Sequence, residues 1–203
     1  MPFQSPVVVQ TVKTGFPKAE LYLPHISRGP SDASDRRINQ KIHEAVQHLV
    51  NSQGSLDDPR AEMLGYFEQK TNEKDYLSLS LFNYAYTGGA HGLTLQHSLT
   101  FKQSTGQDYS LRQLFKPGSG YVARINAIVG AQIKARKIDT LEPFRTIRPD
   151  QDYYVADRSL VIYFQLYELT PYVFGFAYFP ISVFELQDMI NEEGPLGPMI
   201  VND

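Results

Sequence analysis

The stretch Tyr76 to Phe101, YLSLSLFNYAYTGGAHGLTLQHSLTF, constrains this chain more than any other. On its first arm Leu77, Leu79 and Leu81 alternate with Tyr76, Ser78, Ser80, Phe82, Tyr84 and Tyr86. On its second arm Leu93, Leu95, Leu99 and Phe101 alternate with Thr94, Gln96, Ser98 and Thr100. A two-residue period is that of a strand with two unlike faces, one packed on leucine and one bearing tyrosine and serine that is expected to be partly wet. Between the arms, Gly88-Gly89-Ala90-His91-Gly92 supplies residues that take positive φ without strain, so the pair is predicted to be a hairpin.

The remainder is read outward from this hairpin. Val7–Val12 and Ala19–Ile26 have strand character around a Gly15/Pro17 turn. Ser31, Asp32 and Asp35 give helix-start chemistry to a stripe of Ile38, Ile42, Ala45, Val46 and Leu49, which runs to about Gly54. Glu62–Thr71 reads as a strand entering the first arm. After Phe101, Asp108–Ser110 adds a short segment and Leu111–Phe115 a helical turn. Ser119 is the expected cap of a second helix with Tyr121, Val122, Ile125, Ile128, Val129 and Ile133 on one stripe. A loop over 138–150 leads to a hairpin of Tyr153–Ala156 and Leu160–Leu166. Val173–Phe179 is expected as the last strand, and the S-x-x-E pattern of Ser182–Glu185 as the start of a helix to about Asn191.

Antiparallel runs with three main helices packed on them argue for an α+β fold, with two sub-parts in one compact unit. The expected division is 1–110, holding the central hairpin, and 111–203, holding a helix, antiparallel strands and a final helix.

Composition narrows the function classes. The chain has 203 residues and no cysteine, so it needs a core of its own and offers neither disulfides nor thiolate ligands. Lysine plus arginine is 19 against 22 acidic residues, a net charge of -3, which gives no general attraction to nucleic acid. There is no secretory signal pattern and no apolar run long enough to span a membrane, so no membrane span is expected. A cytoplasmic location follows if the chain is complete as written, and an extracytoplasmic one if a leader or anchor was removed.

Two motifs fail on geometry. His43 and His48 are five residues apart, which turns their rings away from a shared helix face, whereas zinc needs a spacing of four. Gly118-Ser119-Gly120-Tyr121-Val122-Ala123 has dinucleotide-fingerprint spacing, but a proline-ended helical turn precedes it instead of a buried strand. No metal and no cofactor are expected. His91 is the single functional histidine candidate, since an imidazole beside exposed turn amides binds anions or acts as acid or base; the bland alternative is a ring bonded to its own turn. His97, on the leucine face, is expected in the core. Asp150, Asp152 and Asp157 are read as turn residues. Tyrosine on strand positions suits packing or recognition.

Four landmarks in order carry a resemblance: Tyr86-Thr87-Gly88-Gly89-Ala90-His91-Gly92, Thr105-Gly106-Gln107, L-x-x-L-F at Leu111–Phe115, and Tyr167-Glu168-Leu169-Thr170-Pro171-Tyr172-Val173-Phe174-Gly175. From about Tyr22 to Ile190 the chain resembles the RsiV-like domain family, a module of lysozyme-sensing anti-sigma receptors that also precedes some peptidoglycan deacetylase domains. The resemblance implies an α+β binding or sensing module with no catalytic residues. Its implied partners are a lysozyme-like protein or a peptidoglycan fragment. Independently of the resemblance, the tyrosine-bearing strands and the His91 glycine loop make Tyr84, Tyr86, Gly88, Gly89, His91 and Tyr172 the expected contact residues. A structural homo-oligomer and a small hydrolase using His91 stay as alternatives, and the expected state is a monomer or weak homo-oligomer.

Overall fold

The computed structural model describes residues 6–201, which divide after Asp108 into two units. The first holds a six-stranded sheet in simple sequential order. Strands β1 (Val8–Phe16) and β2 (Ala19–Ser27) form an unbroken antiparallel ladder across the Pro17-Lys18 turn, where Lys18 takes φ 69. Helix α1 (Asp32–Ser52) follows, its N-terminus capped by Ser31, which accepts from the Ser34 amide. Its stripe of Ile38, Ile42, Ala45, Val46 and Leu49 is buried as the helical period predicts.

Strands β3 (Glu62–Glu73), β4 (Tyr76–Tyr86) and β5 (Leu93–Lys102) are successive antiparallel neighbours, and β6 (Gln107–Asp108) closes that edge. One pairing was not legible beforehand: β2 and β3 are parallel over Ala19–Leu21 and Met63–Gly65, with α1 in the crossover between them. Asn39 fastens that helix to β2 by accepting from the Ile26 amide at 2.7 Å and donating to the Ile26 carbonyl at 2.8 Å.

The core of this unit sets the α1 stripe against Leu77, Leu79, Leu81, Ala85, Phe101, Met63 and Leu21. Each such leucine contributes about 1.5–3 kcal/mol by burial. The other side of β4 departs from expectation. Tyr76, Ser78, Ser80 and Phe82 are as buried as the leucines, and only Tyr84 and Tyr86 are half-buried. The buried hydroxyls are paired across the ladder, Ser78 with Thr100 at 2.9 Å and Ser80 with Ser98 at 2.8 Å. A buried strand thus keeps an alternating pattern because its small polar positions satisfy one another. His97 is half-buried and not a core residue.

In the second unit Leu111–Leu114 is a 3-10 turn, α2 spans Tyr121–Arg136, and β7 (Tyr153–Ala156), β8 (Ser159–Phe164) and β9 (Ala177–Ser182) form an antiparallel sheet. Asp157, at φ 47, turns the β7–β8 hairpin. Helix α2 buries Ile125 and Val129 and reaches β9 with polar side chains, Gln132 donating to the Pro180 carbonyl and Arg136 to the Tyr178 carbonyl, both at 2.7 Å.

Three expectations are corrected here. Ser119 does not cap α2: the cap position is Gly120 at φ 71, and the Ser119 hydroxyl is buried with no protein partner. The last strand starts at Ala177 and not Val173, because Pro171 and Gly175 bracket a 3-10 turn over Tyr172–Phe174. The Ser182/Glu185 capping box is present, but it starts only a 3-10 turn, Val183–Glu185, and the third helix, α3, is the single turn Gly197–Ile200.

Candidate functional site

The expected contact residues fall in both units. Five lie at the end of β4, Tyr84 and Tyr86, or in the glycine turn that follows it, Gly88, Gly89 and His91. Gly88 and Gly89 take φ 103 and 108, conformations that glycine adopts without strain. The turn is bound mainly to itself. Tyr86 donates its hydroxyl to the Gly89 carbonyl at 2.9 Å, and the His91 ring donates from Nδ1 to the Gly92 carbonyl at 2.8 Å. The Tyr84 ring covers Gly92, where a Cβ would overlap it. His91 itself is exposed.

A loop from the other end of α1 braces this turn. Arg60 grips the Asp58 carboxylate with Nε at 3.2 Å and Nη2 at 3.1 Å, while its backbone amide donates to the same carboxylate at 2.8 Å. Those hydrogen bonds hold the Asp58 carboxyl below its ordinary range and raise the guanidinium above its own. Lys18 donates to the Leu56 and Asp58 carbonyls at 2.7 and 2.8 Å. The guanidinium of Arg60 lies 5.7 Å from the Tyr86 ring centroid, and a Cβ on Gly88 would come within 2.9 Å of Asp58 Oδ2. Asp58 and Arg60 were not expected at this turn; only their polar, proline-containing loop marked them.

Tyr172 belongs to a different surface, in the second unit. The 3-10 turn is closed by the Phe174 amide on the Pro171 carbonyl and the Gly175 amide on the Tyr172 carbonyl, each at 3.0 Å. Tyr167, itself at φ 65, stacks on Tyr172 with centroids 5.4 Å apart. The segment before it is pinned: the Gln165 amide donates to Glu168 Oε2 at 2.7 Å, and Glu168 Oε1 pairs with Arg148. Arg148 also holds Asp152 at 3.2 Å and Asp150 at 3.7 Å, so these two aspartates are ion-pair partners as well as turn neighbours. The result is a fixed platform with Val173 92% exposed, Tyr167 49% and Phe174 41%. The apolar run between Pro171 and Gly175, too short for a strand, was the signal for Val173 and Phe174.

Among the described residues no cluster of three or more histidine or acidic side chains has metal-binding geometry, and no helix is long and apolar enough to cross a membrane.

Comparison with known proteins follows the same two-part division. The family model described as Deacetylase PdaC matches residues 12–94, and that described as Protein of unknown function (DUF3298) matches residues 112–183. The anti-sigma-V factor RsiV of Bacillus subtilis (strain 168) is 27% identical over 172 residues, covering 77% of this chain and 59% of that protein. Two crystal structures share the fold. A DUF3298 family member from Bacteroides fragilis has a TM-score of 0.68 at 14% identity, covering 98% of this chain and 97% of its own. A DUF3298 family protein from Pseudomonas aeruginosa PAO1 has a TM-score of 0.67 at 12% identity, covering 94% and 95%. One family match per unit, in this order, together with the RsiV relative, supports an RsiV-like domain in this chain.

Proposed function

We propose that this chain is a non-catalytic binding or sensing module that recognises a protein of the lysozyme type through the turn at Tyr172, with the glycine turn as a second contact. The observation that carries this reading is the exposure of Val173, 92%, on a rigid turn between two aromatic residues. A large apolar side chain held in water by a closed turn, beside stacked tyrosines, is the composition of an interaction hot spot. Tyrosine adds contact area with little conformational entropy to lose. The lysozyme-type partner comes from the family resemblance, and the anti-sigma relative supports a regulatory binding role. In the glycine turn, Tyr86 and His91 already hold the backbone, so Tyr84, Tyr86, Gly88, Gly89 and His91 act there as a shaped, braced surface.

Calorimetric titration with a c-type lysozyme, and separately with a soluble muropeptide, tests the reading. Lysozyme binding that Val173→Ser weakens by about tenfold, roughly 1.4 kcal/mol, with unchanged melting is the expected result. Binding of muropeptide alone transfers the site to a glycan. Lysozyme binding insensitive to Val173→Ser and Phe174→Ala removes the Tyr172 turn from the reading.

A further inference from the structure

The strand edges of this protein are not treated alike. On β9 the outward carbonyls of Tyr178 and Pro180 are taken by Arg136 and Gln132. The far edge of the large sheet, β6, is only Gln107 and Asp108, and β7 is four residues long. Such short or covered edges resist pairing with another chain. Among the described residues, strand β1 has none of these protections. It runs nine residues without a proline, pairs β2 with no register shift, and is exposed at eight of its nine positions. It also carries Val8, Val12 and Phe16 at 39%, 44% and 45% exposure.

Those three residues are four apart, so the two-residue period places them on one side of β1, with Gln10 and Thr14 between them. Val9, of the opposite parity, packs against the core. The spacing is symmetric about Val12. An antiparallel pairing of two copies of β1 about a twofold axis at Val12 sets Val8 against Phe16, Gln10 against Thr14 and Val12 against Val12. An uninterrupted apolar and amide/hydroxyl row results. Lys13 is the only charged residue of the strand; in that register it faces Thr11, and it is already paired with Glu20 at 3.1 Å on β2. No like charges meet directly opposite each other.

We propose that β1 is a self-recognition edge: two copies of this chain associate by antiparallel β1–β1 pairing centred on Val12, joining two six-stranded sheets into one. An isologous contact of this kind needs a strand that complements itself under a twofold, which the Val8/Val12/Phe16 spacing supplies. It is argued from β1 alone and does not draw on the Tyr172 turn.

Because the chain has no cysteine, single cysteines report the register directly. Directly opposed residues of an antiparallel pair have Cα atoms about 4.5–5.5 Å apart, within the range that a disulfide spans. Under mild oxidation of the full chain, Val12→Cys is expected to form a covalent dimer at least about tenfold faster than Gln10→Cys, whose counterpart in the second copy is Thr14. Sedimentation of the unsubstituted chain from about 1 to 100 µM is expected to show a concentration-dependent dimer that Val12→Lys abolishes with unchanged melting. Equal cross-linking of the two cysteine variants, or a monomer throughout the concentration range, overturns the proposal.

Discussion

The ring of Tyr84 occupies the space that a side chain on Gly92 would need, so these two residues fix how the β4–β5 turn returns to the sheet. Gly89, three residues earlier, has the opposite constraint: nothing lies within 4 Å of a Cβ built there, but its φ is 108. Gly92→Ala is therefore expected to cost about 1–3 kcal/mol by forcing Tyr84 to move. Gly89→Val is expected to cost a similar 1–3 kcal/mol or so through backbone strain alone. Adding Tyr84→Ala should rescue Gly92→Ala and leave Gly89→Val unrelieved, as measured by urea denaturation.

The Asp58–Arg60 pair makes a pH prediction. Hydrogen bonds from Arg60 depress the Asp58 carboxyl below its ordinary 3.8. A carboxyl with a depressed folded-state pKa stabilises the fold above its unfolded value and loses that contribution as pH falls through the folded one. The brace on the glycine turn should therefore be intact at neutral pH and released only below about pH 3.8. Carboxyl NMR titration should show the Asp58 midpoint rising toward its ordinary value in Arg60→Ala. An unmoved midpoint would remove Arg60 as the cause.

What the sequence disclosed follows how local each determinant is. The leucine period of Tyr76–Phe101 and the Ser31 cap were legible because each is set within a few residues. The parallel β2–β3 pairing was not, since α1 and its flanking loops decide which edge β3 reaches. The sequence reads as a strand from Val173, whereas Pro171 and Gly175 close a turn that leaves Val173 in water. The bracing of Gly88 by Asp58 joins residues thirty positions apart, with no pattern linking them.

Two serines before helices make a paired test. Ser31 accepts from the Ser34 amide at 3.1 Å, and Ser31→Ala is expected to cost about 0.5–2 kcal/mol. Ser119 caps nothing and buries its hydroxyl without a protein partner, so Ser119→Ala is expected to be neutral within about 0.5 kcal/mol, or stabilising. Thermal melts of the two variants side by side decide the matter, and equal losses would restore Ser119 as a cap.

The buried hydroxyl pairs beneath β4 give the last prediction. Ser78 and Thr100 are 0% and 1% exposed and 2.9 Å apart, in the middle of the six-stranded sheet. Removing the Ser78 hydroxyl takes from Thr100 its cross-strand partner, away from water, which costs about 1–3 kcal/mol, whereas removing both hydroxyls leaves neither in need of that bond. Ser78→Ala and Thr100→Val should each destabilise, and the double variant should lose less than the sum, with a coupling of about 0.5–3 kcal/mol. Additive losses would mean that each hydroxyl is held by other groups, and that the alternating pattern of this strand has a cause other than cross-strand pairing.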